Sequence, residues 1–258
     1  MNAYVFEAAL REFARLKRVL IWIVVAAGLY GVSKVFLSVN PNIEPSEAYP
    51  LLSSLLTFRV LPLASAIFSS AVLSQEVEQK TIVYVLTRPI ARWRIILARA
   101  LASVLVVALV SGLSAVTVSA AVYGGGAFTN AVLYRDLTAV LVGALAYGFL
   151  FVLISLIVNR SMIVSLLFAF AWETSVPSMP GNMYWLSISS YITAIAQRPS
   201  VGTAVQGNPL GGLGQLLGTN PISAETGWTV LISIILICAG LSMWWFSNFE
   251  YLPREDAE

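Results

Sequence analysis

The chain has 258 residues, of which 58% are hydrophobic and only 11% charged, and its mean hydropathy is +0.82. Soluble domains carry about 25% charged residues, so this composition excludes a soluble globular protein and predicts an all-α integral membrane protein. The net charge is only +2, from 15 basic and 13 acidic residues, so the positions of the charges carry more information than their sum.

The residue inventory excludes several chemical classes. The chain has one cysteine, Cys238, and no histidine. A single cysteine rules out an internal disulfide and a cysteine metal cluster, and without histidine the chain lacks the commonest metal ligand and general base. No GxxxxGK(S/T) segment occurs, so the chain has no P-loop of its own. We therefore expect no catalytic, cofactor-binding or metal-binding residues in this chain.

The first predicted element is an amphipathic helix over residues 1–18 that lies in the membrane interface. Phe6, Leu10 and Phe13 recur at helical spacing among charged residues, a pattern typical of interfacial helices. A signal peptide is the alternative interpretation, but this segment is too long and too acidic to be its basic N-terminal region.

Six apolar stretches follow, each close to the length of about 20 residues that a membrane-spanning helix needs. They are residues 19–39, 51–75, 95–123, 135–158, 161–178 and 227–247. The fifth stretch is short and the third is long. Together they predict a single transmembrane domain over residues 1–258.

The loop between the second and third stretches, residues 76–94, is unusually polar for this chain. Gln75 to Leu86 can form a helix with apolar residues such as Ile82 and Val85 near one side. Pro89 ends it, because the residue before a proline is pushed out of helical geometry. The residues alone leave two interpretations open: a lipid-facing interfacial helix, or a helix on which a soluble partner docks.

The distribution of basic residues predicts the orientation of the spans. With a cytoplasmic N-terminus, eleven of the fifteen basic residues lie on the cytoplasmic side, as the positive-inside rule requires. The four basic residues of the outer half are Lys34, Arg59, Arg135 and Arg198. We expect both termini in the cytoplasm.

The predicted outer loop, residues 179–226, precedes the last span. Its apolar part, Tyr184 to Ala196, is too short to cross a membrane. It predicts a re-entrant or interfacial helix, which is tolerated where protein covers the backbone. The glycines from Gly202 to Gly218 have neither the spacing nor the following basic residue of a phosphate-binding loop.

The charged residues Lys34, Arg59 and Glu173 lie within predicted spans. A lone charge near the centre of a bilayer costs about 2.5–3.5 kcal/mol on insertion scales, so partners or a wet cavity are expected. We expect Glu173 to pair with Arg59 or Lys34. Either the three residues belong to a substrate or gating site, or Glu173 forms a structural pair while Lys34 extends outward to the membrane surface.

Small residues repeat at intervals of four in the third and fourth predicted spans, where they predict close helix packing. They are Ser111, Ala115 and Ser119, then Ala139 with Gly143, and Ala144 with Gly148.

A pattern that begins in the polar loop resembles that of ABC-2 type transporter permeases. The chain reads Glu78-x-x-Thr81-Ile82-x-x-x-Leu86-x-Arg88-Pro89-Ile90-x-Arg92-x-x-Ile95-x-x-Ala98-Arg99. Those permeases typically read E-x-G-T-L-x-x-L-L-x-x-P-(I/V)-x-R, then an apolar pair and G-K. Lys80 stands where that family usually has glycine, and Arg99 where it often has lysine. The order of interfacial helix, spans, loop and outer segment is also similar.

The resemblance implies a membrane-spanning subunit of an ABC exporter in the cell (inner) membrane, surrounded by lipid and without a nucleic-acid partner. ATP and magnesium would be held by separate nucleotide-binding ATPase subunits, and a second permease copy or a homologue would complete the complex. The 76–94 loop would be the coupling helix that docks on the ATPase. The docking residues implied are Glu76, Glu78, Thr81, Ile82, Val85, Leu86, Arg88, Pro89 and Arg92.

Other classes of membrane protein provide the alternatives. Intramembrane proteases are excluded, because they need histidine or two embedded aspartates, and the aspartates here are Asp136, near a span end, and Asp256, in the tail. A lipid-handling enzyme or a scaffold without ATP coupling stays open. An independent channel or ion-coupled carrier is disfavoured, since no proton relay is evident. An outer cavity with apolar and aromatic walls would suit lipids, hydrophobic drugs or peptides.

Overall fold

The computed structural model describes residues 16–78, 91–176, 183–197 and 222–248. Helices account for 92% of these residues, and no strand occurs among them, which confirms the all-α class. The helices are α1 (Leu16–Val39), α2 (Pro45–Leu52), α3 (Phe58–Glu78), α4 (Arg92–Tyr123), α5 (Ala131–Ile157), α6 (Ser161–Leu167), α7 (Glu173–Ser175), α8 (Ile188–Ile195) and α9 (Ala224–Asn248). Short 3-10 turns, Gly124–Thr129 and Met183–Leu186, follow α4 and precede α8.

Five of the described helical segments are long and apolar enough to cross a membrane. They are Ile21–Val39, Pro45–Val72, Arg92–Thr129, Ala131–Ile157 and Ala224–Asn248. They coincide with five of the six predicted spans, so the protein is a multi-pass membrane protein. At the predicted fifth span lies a shorter apolar helix, Ser161–Ser175. The count of six spans therefore stays a prediction.

Two π-turns interrupt these segments. Ser53–Thr57 joins α2 to α3, and Phe168–Trp172 joins α6 to α7. The first π-turn ends directly before Phe58, whose carbonyl cannot receive the usual helical hydrogen bond from Pro62, because proline has no backbone N–H. Insertions of this kind are often found at functional sites, and a charged residue follows each π-turn closely: Arg59 and Glu173.

The centre of the bundle is formed by α3, α4 and α5, which pack on one another. A Cβ atom at Gly148 of α5 would lie 2.4 Å from Val104 Cγ2 of α4, and one at Gly143 would lie 2.6 Å from Leu61 Cδ2 of α3. A Cβ atom at either position would force a neighbouring side chain to move, and at Gly143 that neighbour is the flexible end of Leu61 or Ile192. The predicted small-residue positions, Ser111, Ala115, Ser119, Ala139, Gly143, Ala144 and Gly148, are all buried, which confirms their role in packing.

The remaining long helices lie on the outside of this centre. Helix α1 packs on α4, and α9 packs on α5 and α4. Both helices keep large apolar side chains exposed, among them Val24 and Val35 in α1 and Leu236 and Ile237 in α9. Lipid covers such surfaces without cost, because its tails are as apolar as the side chains.

Candidate functional site

Two carboxylates are buried at the end of the bundle where α5 begins and α7 ends. Asp136 is 0% exposed and Glu173 is 1% exposed. Burying a charge is unfavourable unless hydrogen bonds replace the lost water, so the partners of each carboxylate decide what the site does. We call these carboxylates and the groups around them the polar layer: Tyr49, Ser53, Thr57, Arg59, Asp136, Tyr147, Glu173 and Ser187.

Asp136 holds the start of the first π-turn against α5. Its Oδ2 accepts hydrogen bonds from the Tyr49 hydroxyl at 2.8 Å and from the Ser53 hydroxyl at 2.6 Å. Tyr49 lies in α2, and Ser53 is the first residue of the π-turn. Hydrogen bonds from hydroxyl groups to a carboxylate oxygen are strong. Asp136 therefore fixes the position of this irregular segment of the second span.

Glu173 caps the N-terminus of α8. Its carboxylate accepts hydrogen bonds from the Ser187 hydroxyl at 2.6 Å and from the backbone N–H groups of Ile188 and Ser189, each at 3.1 Å. The first N–H groups of a helix lack partners within the helix, and its N-terminus favours a negative charge. We call this arrangement the Glu173 cap. It joins α7 to α8 across the short segment between them.

The expected pairing of Glu173 with a basic residue takes a different form. Arg59 Nη1 donates to the backbone carbonyl of Glu173 at 3.4 Å, and within the described residues neither Arg59 nor Lys34 forms an ion pair with the Glu173 carboxylate. Lys34 is exposed on α1, with its ammonium group 5.8 Å from the centre of the Tyr30 ring. The structure therefore brings Arg59 and Glu173 together and leaves Lys34 apart.

Two buried hydroxyls of the polar layer have no hydrogen-bond partner among the residues that the structure describes. They are Thr57 Oγ1, in the first π-turn, and the Tyr147 hydroxyl of α5. The Tyr147 hydroxyl lies close to the Glu173 carboxylate, but not at the distance and angle of a hydrogen bond. Unpartnered buried hydroxyls cost about 1–3 kcal/mol each, so the layer carries unfavourable groups beside its well-satisfied carboxylates.

Helix α8 packs closely on its neighbours. A Cβ atom at Gly227 of α9 would lie 3.0 Å from the Tyr191 carbonyl oxygen, and Ile192 contacts α5 at Gly143. At the far end, Arg135 donates to the Gln197 side chain at 2.6 Å. Burial raises the pKa of the Tyr191 hydroxyl, which donates to the Trp185 carbonyl at 2.6 Å. The apolar piece of the predicted outer loop is thus a short helix covered by protein.

The comparison with known proteins then identifies the family. Residues 10–174 match the model of the ABC-2 family transporter protein, which is more than half of the chain. The chain belongs to the ABC-2 family of transporter proteins. A search of curated proteins gave no match. The ABC-2 membership makes this protein a membrane permease of an ABC transporter, in a family that is generally non-enzymatic and has its ATPase in separate subunits.

In this ABC-2 protein most of the predicted docking residues lie outside the described residues. These are Thr81, Ile82, Val85, Leu86, Arg88 and Pro89. Glu76 and Glu78 belong to the last turn of α3, and Arg92 is the first residue of α4. Arg92 and Arg94 are exposed there, and the Arg94 guanidinium lies 5.2 Å from the centre of the Trp93 ring. The predicted interfacial helix over residues 1–18 also lies outside the described residues, except for the start of α1.

Asp136 and its two hydroxyl partners were not predicted as site residues of this ABC-2 permease. A signal was present, because Asp136 is the sole acidic residue in α5, a helix that is otherwise almost entirely apolar. Charged residues within spans mark functional or structural polar sites. Ser187 was missed because nothing in the sequence joins it to Glu173. Among the described residues, no group of three potential ligands could hold a metal ion.

Proposed function

We propose that this ABC-2 protein is the permease subunit of an exporter driven by two separate ATPase subunits, which hold ATP and magnesium. It forms the transport path with a second copy or a homologue. The 76–94 loop docks on the ATPase and carries the movement caused by ATP binding and hydrolysis into α3 and α4. The protein lies in the cell (inner) membrane, with both termini and this loop on the cytoplasmic side.

The observation that carries the proposal is the family match over residues 10–174. The matched range contains the 76–94 loop together with the helices on either side, α3 and α4. It also extends to Glu173, so it includes nearly the whole polar layer.

The distribution of charge supports the orientation. Among the side chains that the structure describes, all five carboxylates lie toward one end of the bundle: Glu44, Glu47, Asp136, Glu173 and Glu225. Toward the other end, where α3 ends and α4 begins, lie Arg92, Arg94, Arg99 and Arg160. Because an excess of basic residues is typical of the cytoplasmic side of membrane proteins, this distribution supports a cytoplasmic position for the 76–94 loop.

The described helices also support a mechanical connection between the loop and the bundle. Arg99 Nη1 of α4 donates to the Val72 carbonyl of α3 at 3.1 Å, and Ser161 of α6 donates to the Ser70 carbonyl at 3.4 Å. These two hydrogen bonds join α4 and α6 to α3 at neighbouring positions, Val72 and Ser70, close to the loop. A push on the loop would move them together.

The test measures coupling in the assembled complex. Glu78→Lys reverses a charge in the loop, and Glu225→Lys makes the same change at the exposed start of α9, at the opposite end of the bundle. We expect tagged wild-type protein to co-purify an ATPase whose activity depends on the permease, with Glu78→Lys abolishing that dependence and Glu225→Lys preserving it. Co-purification that survives deletion of residues 76–88 would contradict the docking role, and activity without any ATPase would favour a lipid enzyme or scaffold.

A further inference from the structure

Most contacts of α8 are apolar, whereas the Glu173 cap is made by a buried carboxylate. Elsewhere α8 is buried through side chains such as Ile188, Tyr191, Ile192 and Ile195, and apolar contacts inside a membrane are not lost when lipid or another side chain takes their place. The cap behaves differently, because the buried carboxylate is satisfied only while Ser187, Ile188 and Ser189 are in place. Its energy therefore depends strongly on the position of α8.

Water can replace these hydrogen bonds one for one. A carboxylate that loses three donors in a dry interior is strongly destabilised, whereas one that becomes hydrated is not. The Glu173 carboxylate is satisfied by its three donors while α8 is docked, and it would be satisfied by water if α8 were released. Intermediate positions leave the charge unsatisfied. This property makes the contact two-state rather than gradual.

Neighbouring hydroxyls favour the open condition. Among the residues that the structure describes, Thr57 Oγ1, Tyr147 Oη and Ser190 Oγ are buried without a hydrogen-bond partner, and Ser190 directly follows the capped residues in α8. Entry of water would provide each of them with hydrogen bonds that the closed form does not. The closed form therefore holds unfavourable polar groups that the Glu173 cap has to outweigh.

The backbone beside the cap is irregular. The second π-turn, Phe168–Trp172, leads directly into Glu173, and the first, Ser53–Thr57, ends two residues before Arg59. Arg59 binds the Glu173 carbonyl, a group near a helix end that lacks a regular helical partner. A force transmitted along α3 would thus reach the residue that caps α8.

We propose that Glu173 is a positioning residue that holds α8 closed against α5 and α9, and that the ATPase cycle releases α8 by opening the Glu173 cap. This role rests on the proposed transport function. Arg59 transmits the movement of α3 to Glu173. The cap itself needs no ATPase, so its existence and its release can be tested separately.

The experiment measures how fast a thiol in α8 becomes accessible. Ser190→Cys replaces an unpartnered buried hydroxyl with a group of similar size, and Cys238→Ala removes the native thiol. The rate of maleimide labelling of this reporter is measured in membranes. Glu173→Gln replaces one acceptor oxygen with an NH₂ group that faces N–H donors. We expect it to raise the rate about tenfold, the effect of losing about 1.4 kcal/mol.

Two further variants keep the test decisive. Ser187→Ala removes one of three donors and leaves the charge and the backbone contacts, so we expect a smaller rise, of about two- to threefold. It serves as the test if Glu173→Gln does not fold. Glu225→Gln removes an exposed carboxylate from the same end of the bundle and should leave the rate unchanged. If Glu173→Gln and Ser187→Ala are labelled at the same rate as Glu225→Gln, the Glu173 cap does not hold α8. The proposed transport function would still stand.

Release is tested by adding the ATPase subunits and MgATP. We expect nucleotide to raise the labelling rate in the reporter protein and to have no further effect in Glu173→Gln, whose α8 is already free. A purely structural cap gives the same rate with and without nucleotide, which would overturn the release. If no ATPase binds, the proposed function fails, and the nucleotide-free comparison still decides whether the cap holds α8.

Discussion

Gly148→Ala is expected to destabilise the bundle at its centre. The added Cβ would lie 2.4 Å from Val104 Cγ2, whereas non-bonded carbons prefer about 3.5–4.0 Å. Val104 is 4% exposed and β-branched, so its side chain has little freedom to turn away. Helices α4 and α5 must therefore move apart.

The magnitude follows from overpacking data. Extra methyl groups in packed cores cost about 1–3 kcal/mol, and the better helix propensity of alanine returns at most about 1 kcal/mol. A domain of this size loses about 2–4 °C in Tm for each kcal/mol. We expect a fall in the Tm of the purified protein in detergent, measured by loss of the monodisperse peak after heating.

The matched control is Gly240→Ala in α9, where an added Cβ meets no atom within 4 Å. This variant should keep or raise Tm. Val104→Ala should partly rescue Gly148→Ala, so that the double variant is less destabilised than the sum of the single variants. Equal Tm values for Gly148→Ala and Gly240→Ala would refute the reasoning that α4 and α5 meet at this glycine.

Three further predictions concern individual side chains. Gly143→Ala should lower Tm less than Gly148→Ala, because it meets the flexible ends of Leu61 and Ile192; an equal or larger loss would contradict this. Asp136→Asn should cost about 1.5–3 kcal/mol, since it weakens two charge-assisted hydrogen bonds, and an unchanged Tm would show that Tyr49 and Ser53 do not depend on the charge. Tyr147→Phe removes an unpartnered buried hydroxyl, so Tm should stay or rise; a fall of several degrees would mean that the hydroxyl has a partner.

Hydropathy predicted the five helices that are long and apolar enough to cross a membrane, because a membrane span depends mainly on composition and length. The small-residue intervals at Ala139, Gly143, Ala144 and Gly148 were also informative, since close helix approach requires the same residue types in any bundle. Local spacing was sufficient for both features. Neither required knowledge of which helix lies beside which.

The polar layer was harder to predict, because its contacts join residues far apart in the chain. The hydrogen bonds of Asp136 reach back 87 and 83 residues, to Tyr49 and Ser53. The presence of Glu173 inside a span indicated that it needs partners, but charge alone suggested Arg59 or Lys34. Its carboxylate instead binds a helix N-terminus, which is a partner that no single residue identifies.

The most direct test of the proposed function is a photo-crosslink from the 76–94 loop. A photoreactive amino acid is placed at Val85 and, as the control, at Trp185, which is exposed beside α8. We predict that position 85 becomes covalently joined to a P-loop ATPase of the same membrane, identified by mass spectrometry, and that position 185 does not. Crosslinks from position 85 to lipid alone, or to the ATPase equally from both positions, would contradict the coupling role of the loop.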